Sequence, residues 1–200
     1  MPRDGEKVRR RLQEAALALY QERGYDRTTA AEIAEKAGVT GRTFFRHFAD
    51  KREVLFGGEA EFADALTRAV LMAPEHLGPW ETLLHAFRSV EPIFVENRAF
   101  SAPRQRVIAA NPALQERAQS KSRAMTAAVA SALNQRGVPD RLAGLAAQVG
   151  TAALNYAVMS WLDGDSDDLD RYVVQAFEEV RDLSSPVDRS VHAAWAATED

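Results

Sequence analysis

TTAAEIAEKAGVTGRTFFRHFADKREVL, residues 28–55, packs three helix starts and one helix stop into a single short stretch. Thr29 can N-cap a helix whose third residue is Glu32, so hydroxyl and carboxylate each satisfy the other's backbone amide in a capping box. Ile33, Ala34 and Ala37 form the apolar stripe of that helix. Gly38 ends it with the residue that enters the left-handed region at least steric cost. Val39 fills the turn and Thr40 is the next N-cap. The helix Gly41–His47 carries Phe44 and Phe48 four apart on one face, leaving Gly41, Arg42, Thr43 and His47 to point elsewhere. Asp50 and Glu53 repeat the capping logic for a further helix starting at Lys51. Two short helices joined by a tight turn, with more helix on either side, make a helix-turn-helix, whose second helix enters the major groove of DNA.

Outward from this stretch the chain reads as helix throughout. Val8, Leu12, Ala15, Ala16 and Leu19 share one face of a first helix, which Gly24 closes. A helix from Lys51 to Met72 is expected next, ending before Pro74. Pro79 or Trp80 opens another, with Leu83, Leu84, Phe87, Val90 and Phe94 on its apolar face and Pro92 as a kink. A short helix near 103–110 has Pro103 in its first turn. Asn111-Pro112 caps a helix closed by Gly137, Pro139-Asp140 starts one that runs to about Leu162, and a last helix covers about 168–183. Beyond Ser184-Ser185-Pro186 the tail is Ala-rich, a short helix or a frayed end. Alternating strand patterns and internal repeats are absent. The fold class is therefore all-α: a three-helix helix-turn-helix domain over residues 1–52, then a six-helix domain over 53–200.

Composition narrows the function. The 200 residues have 46% hydrophobic and 27% charged side chains, in the range of globular proteins. With no cysteine, disulfides, thiolate nucleophiles and Cys-ligated zinc are excluded. No apolar run approaches the roughly 20 residues that cross a bilayer, and the N-terminus lacks a signal-peptide core, so the expected location is cytoplasmic, without a membrane partner. The net charge of −4 conceals an asymmetry. Residues 1–56 hold twelve Lys/Arg against nine Asp/Glu, and the remainder thirteen against twenty. Local basic charge suffices for phosphate contacts, and Arg9, Arg10 and Arg11 suit that face. There is no Gly-rich phosphate loop, GxSxG or HExxH, and His47, His76, His85 and His192 lack metal-ligand spacing. DGDSDDLD at 163–170 resembles a calcium loop, but has Asp168 where glycine is needed and Val174 where glutamate is needed. It reads better as an acidic N-cap. No enzyme, metal or cofactor is expected.

Residues 24–55 resemble the DNA-binding domain of the tetracycline-repressor (TetR) family of bacterial regulators. The pattern is matched by Gly24, Tyr25, Thr28, Thr29, Ile33, Ala34, Ala37, Gly38, Val39, Thr40, Thr43, Phe44, Phe45, His47, Phe48, Asp50, Lys51 and Val54. The C-terminal layout is similar to the branch holding mycofactocin-type and fatty-acyl regulators. This resemblance implies a transcriptional regulator, in the usual case a homodimeric repressor released from a palindromic operator by a small apolar or amphipathic effector. A small-molecule binder of the same fold that no longer reads DNA, and an activator, are the alternatives.

The DNA-binding set is Thr29, Thr40, Gly41, Arg42, Thr43, Phe45, His47 and Lys51. Arg42 is the base reader, because guanidinium pairs bidentately with guanine O6 and N7. Gly41 admits close backbone approach, and Thr43 touches a thymine methyl, touches a phosphate, or packs. The resemblance makes Thr29, His47 and Lys51 phosphate contacts. For Thr29 and Lys51, a position at a helix start favours an anion as well. Phe45 stands where many members have tyrosine, which leaves it van der Waals contact or packing. A single short reading helix needs a second copy on an adjacent half-site. The dimer surface is expected on the last two helices: Leu145, Val149, Ala153, Tyr156, Tyr172, Val173, Ala176, Phe177 and Val180. Trp80, Phe87, Phe94, Phe100, Met125, Tyr156, Met159 and Trp161 are the candidate effector pocket, with Arg98, Arg104 and Arg106 near its mouth for an anionic group.

Overall fold

The computed structural model describes residues 2–183, and the Ala-rich tail beyond lies outside the described residues. Among them the chain is all-α, with three helices in front and six behind. The front three are α1 (Pro2–Arg23), α2 (Ala30–Lys36) and α3 (Gly41–His47). A 3-10 turn, Glu53–Phe56, follows. The rest are α4 (Glu59–Met72), α5 (Pro79–Glu96), α6 (Arg98–Ala109), α7 (Pro112–Gln135), α8 (Asp140–Asp163) and α9 (Leu169–Leu183).

The capping grammar operates as written. Thr29 and Glu32 form the reciprocal box, Thr40 accepts from the Thr43 amide, and Asn111 accepts from the amides of Ala113 and Leu114. Asp168 accepts from the Arg171 amide at the head of α9, which is the acidic N-cap expected there. Gly24, Gly38 and Gly137 sit at positive φ just past the ends of α1, α2 and α7.

Two helix boundaries need correction. No helix begins at Lys51. Asp50 does accept from the amides of Arg52 (2.7 Å) and Glu53 (3.2 Å), but the turn it caps is 3-10 and stops at Gly57. Gly58, at φ +100°, then redirects the chain into α4. Gly57 is crowded: a Cβ there would lie 3.0 Å from the Phe48 ring and from the Gln13 amide, so both would have to give way. The second boundary is that of α6, which begins at Arg98. Phe100 and Ser101 already donate to the Asn97 carbonyl, so Pro103 lies inside the helix rather than in its first turn. α5 likewise runs through Pro92 to Glu96.

Burial divides the molecule into two cores. One gathers Leu12, Ala16, Tyr20, Ile33, Phe44 and Phe48 from α1–α3 with Val54, Leu55 and Phe56, and Ile108 and Leu114 from α6 and α7 close it. The other is built by α4, α5, α7, α8 and α9 around Leu83, Phe87, Leu133, Leu154, Trp161 and Phe177. Residues 54–56, counted with the second domain in the sequence, thus bury their side chains in the first core. The sequence held no apolar run near bilayer length, yet α8 is long and apolar enough to cross a membrane by length and composition alone. Half of that window is buried inside the bundle, as in a core helix.

Candidate nucleic-acid interface

α3 is fixed from behind. Phe44 is fully buried and Phe48 nearly so, their rings 5.9 Å apart, so the opposite face of the helix must look outward. That face presents Gly41, Arg42, Phe45 and Arg46, all exposed. A Cβ on Gly41 would meet no protein atom within 4 Å, so this backbone stands open to an approaching surface. Neither Arg42 nor Arg46 makes a side-chain hydrogen bond or ion pair among the described residues. Phe45 is 61% exposed, which disposes of the packing role and leaves an aromatic ring facing solvent beside Phe44 (5.2 Å between centroids). Thr40 is exposed, and its hydroxyl lies 3.1 Å from that of the half-buried Thr43. Sequence reasoning missed Arg46, although its place one turn beyond Arg42 on the same short helix was the available signal.

Three expected DNA contacts already have surroundings within the chain. The Lys51 ammonium donates to the carbonyls of Tyr25 and Thr28 at 2.9 Å and sits 4.2 Å from the Tyr25 ring centroid. It closes the α1–α2 loop from within and heads no helix, so a structural role stands beside the expected phosphate contact. His47 turns its Nε2 into the protein, where that atom is buried and unpartnered. Burial, with the neighbouring Arg46 and Arg9 guanidiniums, holds its pKa below the ordinary imidazole value. Thr29 is exposed, but its amide and hydroxyl both donate to Glu32, at 2.8 and 2.7 Å. The same Glu32 pairs with Arg23 at 3.0 Å, and the Thr29 hydrogen bonds hold its carboxyl below the usual range. Arg9 is likewise turned inward, pairing with Glu61 at 2.7 Å over the Phe48 ring.

The reading head is tied to the second core by ions. Arg104 of α6 donates to the Leu55 carbonyl and to Glu59 (2.7 Å) and lies over the Phe56 ring. Burial lowers the Arg104 pKa and raises that of Glu59. Arg117 and Lys121 of α7 both hold Glu53, whose pKa is lowered chiefly by the Arg117 hydrogen bond.

The candidate pocket residues separate. Trp80 lies tilted against Phe177 (4.2 Å between centroids), and Phe94 meets Phe62 edge to face (4.9 Å). Phe87 and Trp161 are fully buried, and Met125 packs against the same core. Met159 is half-buried on α8. Phe100 packs against the first core and Tyr156 is 62% exposed, so neither belongs with the others. The arginine cluster also separates. Arg98 is committed to Asp167 and to the carbonyls of Trp161 and Gly164, Arg104 is committed to Glu59, and only Arg106 is uncommitted.

The expected dimer surface divides by burial in the single chain. Ala153, Val173, Ala176 and Phe177 are buried in their own core, and Tyr172 and Val180 pack against it. Leu145 (59% exposed), Val149 and Tyr156 lie on the outer face of α8.

These features have counterparts in known proteins. The pattern described as bacterial regulatory proteins, tetR family, matches residues 12–56, and that of the MftR C-terminal domain matches residues 77–184. Over 84 residues the chain is 38% identical to the HTH-type transcriptional regulator TcmR of Streptomyces glaucescens. That match covers 42% of this chain and 37% of TcmR, little more than a third of the relative's length. FadR of Thermus thermophilus, solved with lauroyl-CoA, superposes with a TM-score of 0.51 at 22% identity, over 90% of this chain and 96% of that one. FadR of Bacillus subtilis, solved with stearoyl-CoA, gives 0.58 at 17% identity, over 84% and 95%. Its helix-turn-helix domain and the C-terminal pattern, which spans more than half of its length, place this chain in the tetracycline-repressor (TetR) family of bacterial regulatory proteins.

Proposed function

We propose that the protein is a homodimeric, ligand-responsive repressor that binds a pseudo-palindromic DNA operator in the cytoplasm. The observation that carries this reading is α3. Its apolar side is locked into the core, while Gly41, Arg42, Phe45 and Arg46 are uncovered and the two arginines are free of partners. Arg42 reads a guanine and Arg46 takes a phosphate. Thr40 and Thr43 border the groove, and Thr29 offers its helix start to the backbone.

One head with a short reading helix binds weakly, so two are needed. The outer face of α8 supplies a surface for the second copy. Leu142, Leu145, Val149, Ala152, Tyr156 and Met159 follow spacings of three and four, all exposed or half-buried, as in a helix seam awaiting its partner.

The effector is a small apolar or amphipathic molecule received by the second core, among Trp80, Phe87, Phe94, Met125 and Trp161. For release to follow, it must bind the DNA-free arrangement more tightly. Acyl-CoA thioesters, the ligands named for the two FadR proteins, are the first probes. The test is selection of genomic fragments by the purified protein at ~100 mM salt, followed by mobility shifts of the enriched sequence. An inverted repeat bound in the nanomolar to micromolar range is expected. Enrichment of no common sequence would overturn the reading.

A further inference from the structure

Two open clefts flank the junction between the reading head and the second core, and their charge differs. One, of about 490 Å3, is lined by Asp50, Arg52, Glu53, Glu116 and Arg117 among others. Its arginines are already paired, Arg52 with Asp50 and Arg117 with Glu53. The other, of about 650 Å3, lies between the end of α1 with its following loop and the end of α6. Its charged lining is Arg23, Arg27 and Arg106 against a single Asp26.

The donors in this second cleft are unspent. Arg106 is exposed and its guanidinium has no partner among the described residues. Arg27 uses only Nε, on the Arg23 carbonyl at 2.7 Å. Arg23 pairs through Nη1 with Glu32, while its Nε is buried and unpartnered. The ends of α1 and α6 turn carbonyls this way, which would ordinarily favour a cation. Here, however, those carbonyls already have donors: Arg27 on that of Arg23, and the amides of Ala110 and Asn111 on those of Arg106 and Ile108.

We propose that this cleft is a second binding site, for a small polyanion such as an organic phosphate or polycarboxylate, held between Arg106 at the end of α6 and Arg23 and Arg27 at the end of α1. Guanidinium groups match the planar, bidentate geometry of such oxyanions. Both sides of the cleft pack into the first core, through Tyr20 of α1 and Val107 of α6, so a bound anion would fasten the end of α1 to α6. The phosphate has two conceivable sources, a free metabolite or the DNA backbone.

The test is isothermal titration of the full chain with inorganic pyrophosphate at constant ionic strength, using wild type, Arg106→Gln, Arg27→Gln and Arg42→Ala. It requires no operator, so it stands or falls separately from the repressor reading. Saturable binding of one pyrophosphate per chain is expected, weakened about tenfold or more by Arg106→Gln and Arg27→Gln and unchanged by Arg42→Ala. Both glutamine variants should melt at the wild-type temperature without the anion. Equal binding by wild type and Arg106→Gln, loss of binding in Arg42→Ala, or no binding at millimolar pyrophosphate would each overturn the site. Repeating the titration on the DNA-bound protein separates the sources. Competition, with a salt slope for DNA flattened by about one unit in Arg106→Gln, assigns the site to a backbone phosphate; simultaneous binding assigns it to a free anion.

Discussion

Two basic residues in the same motif do opposite work. Arg42 projects from α3 without a partner, so replacing it removes a contact only in the complex. Arg42→Ala should cost about 1–3 kcal/mol of operator affinity and relax preference at one base pair, as measured by competition with singly substituted operators. Lys51 is spent inside the fold, on the carbonyls of Tyr25 and Thr28. Removing it strips buried acceptors of a charged donor, and Lys51→Ala should lower stability by about 1–3 kcal/mol. The slope of affinity against salt should stay as in wild type, because no phosphate contact is lost. A slope flattened by about one unit with unchanged melting would keep Lys51 in the DNA-contacting set. A lysine and an arginine nine residues apart look alike in sequence; their partners separate them.

At the scale of elements, the helix-turn-helix is held by its turns as much as by its core. Gly38 sits at φ +67° between α2 and α3, with open space where a Cβ would be. Gly38→Ala therefore costs backbone strain and no clash, about 1–2 kcal/mol, read as a lower melting temperature. Gly57 and Gly58 do the corresponding work beyond α3. They break what reads as one long helix from Lys51, Gly57 by its extended backbone (ψ 132°) beside the Phe48 ring and Gly58 by its φ of +100°. The capping pair Asp50 and Glu53 announced a helical turn correctly. Its length was invisible, because Gly57 is forced by a ring from another helix rather than by its neighbours in sequence.

Across the whole molecule, the junction and the outer face of α8 carry the consequences. Glu53 is held below its ordinary value by Arg117, so its contribution to stability is present above the usual carboxylate pKa of 4.5 and is lost as pH falls through the lowered folded value. Glu53→Gln should therefore melt below wild type at pH 7, and the gap should close on acidification below about 4.5. Glu59 has the opposite sign: burial raises its pKa, so its ionisation opposes folding and acid relieves it. For assembly, Leu145→Glu or Tyr156→Glu should yield monomers in sedimentation and lose operator affinity while keeping the melting behaviour of the folded chain. Both side chains are about 60% exposed, so neither substitution opens the core. Dimers that survived both changes would remove α8 as the seam.

What the sequence determined by itself is local. Capping pairs, stop glycines and the 3.6-residue spacing of apolar side chains act within a few positions, so they fixed the all-α class, most helix boundaries and the burial of Phe44 and Phe48. They also exposed the face of α3 by elimination. Tertiary packing decided everything that depends on which helix lies across from which. It sent Phe100 to the first core and Phe177 to the second, turned the Nε2 of His47 inward and committed Arg98 and Arg104 to partners. It left Arg106 and the outer stripe of α8 uncovered. Periodicity marks a side chain as apolar or charged; only the neighbour brought up from a distant part of the chain settles whether it is core, clamp or free surface.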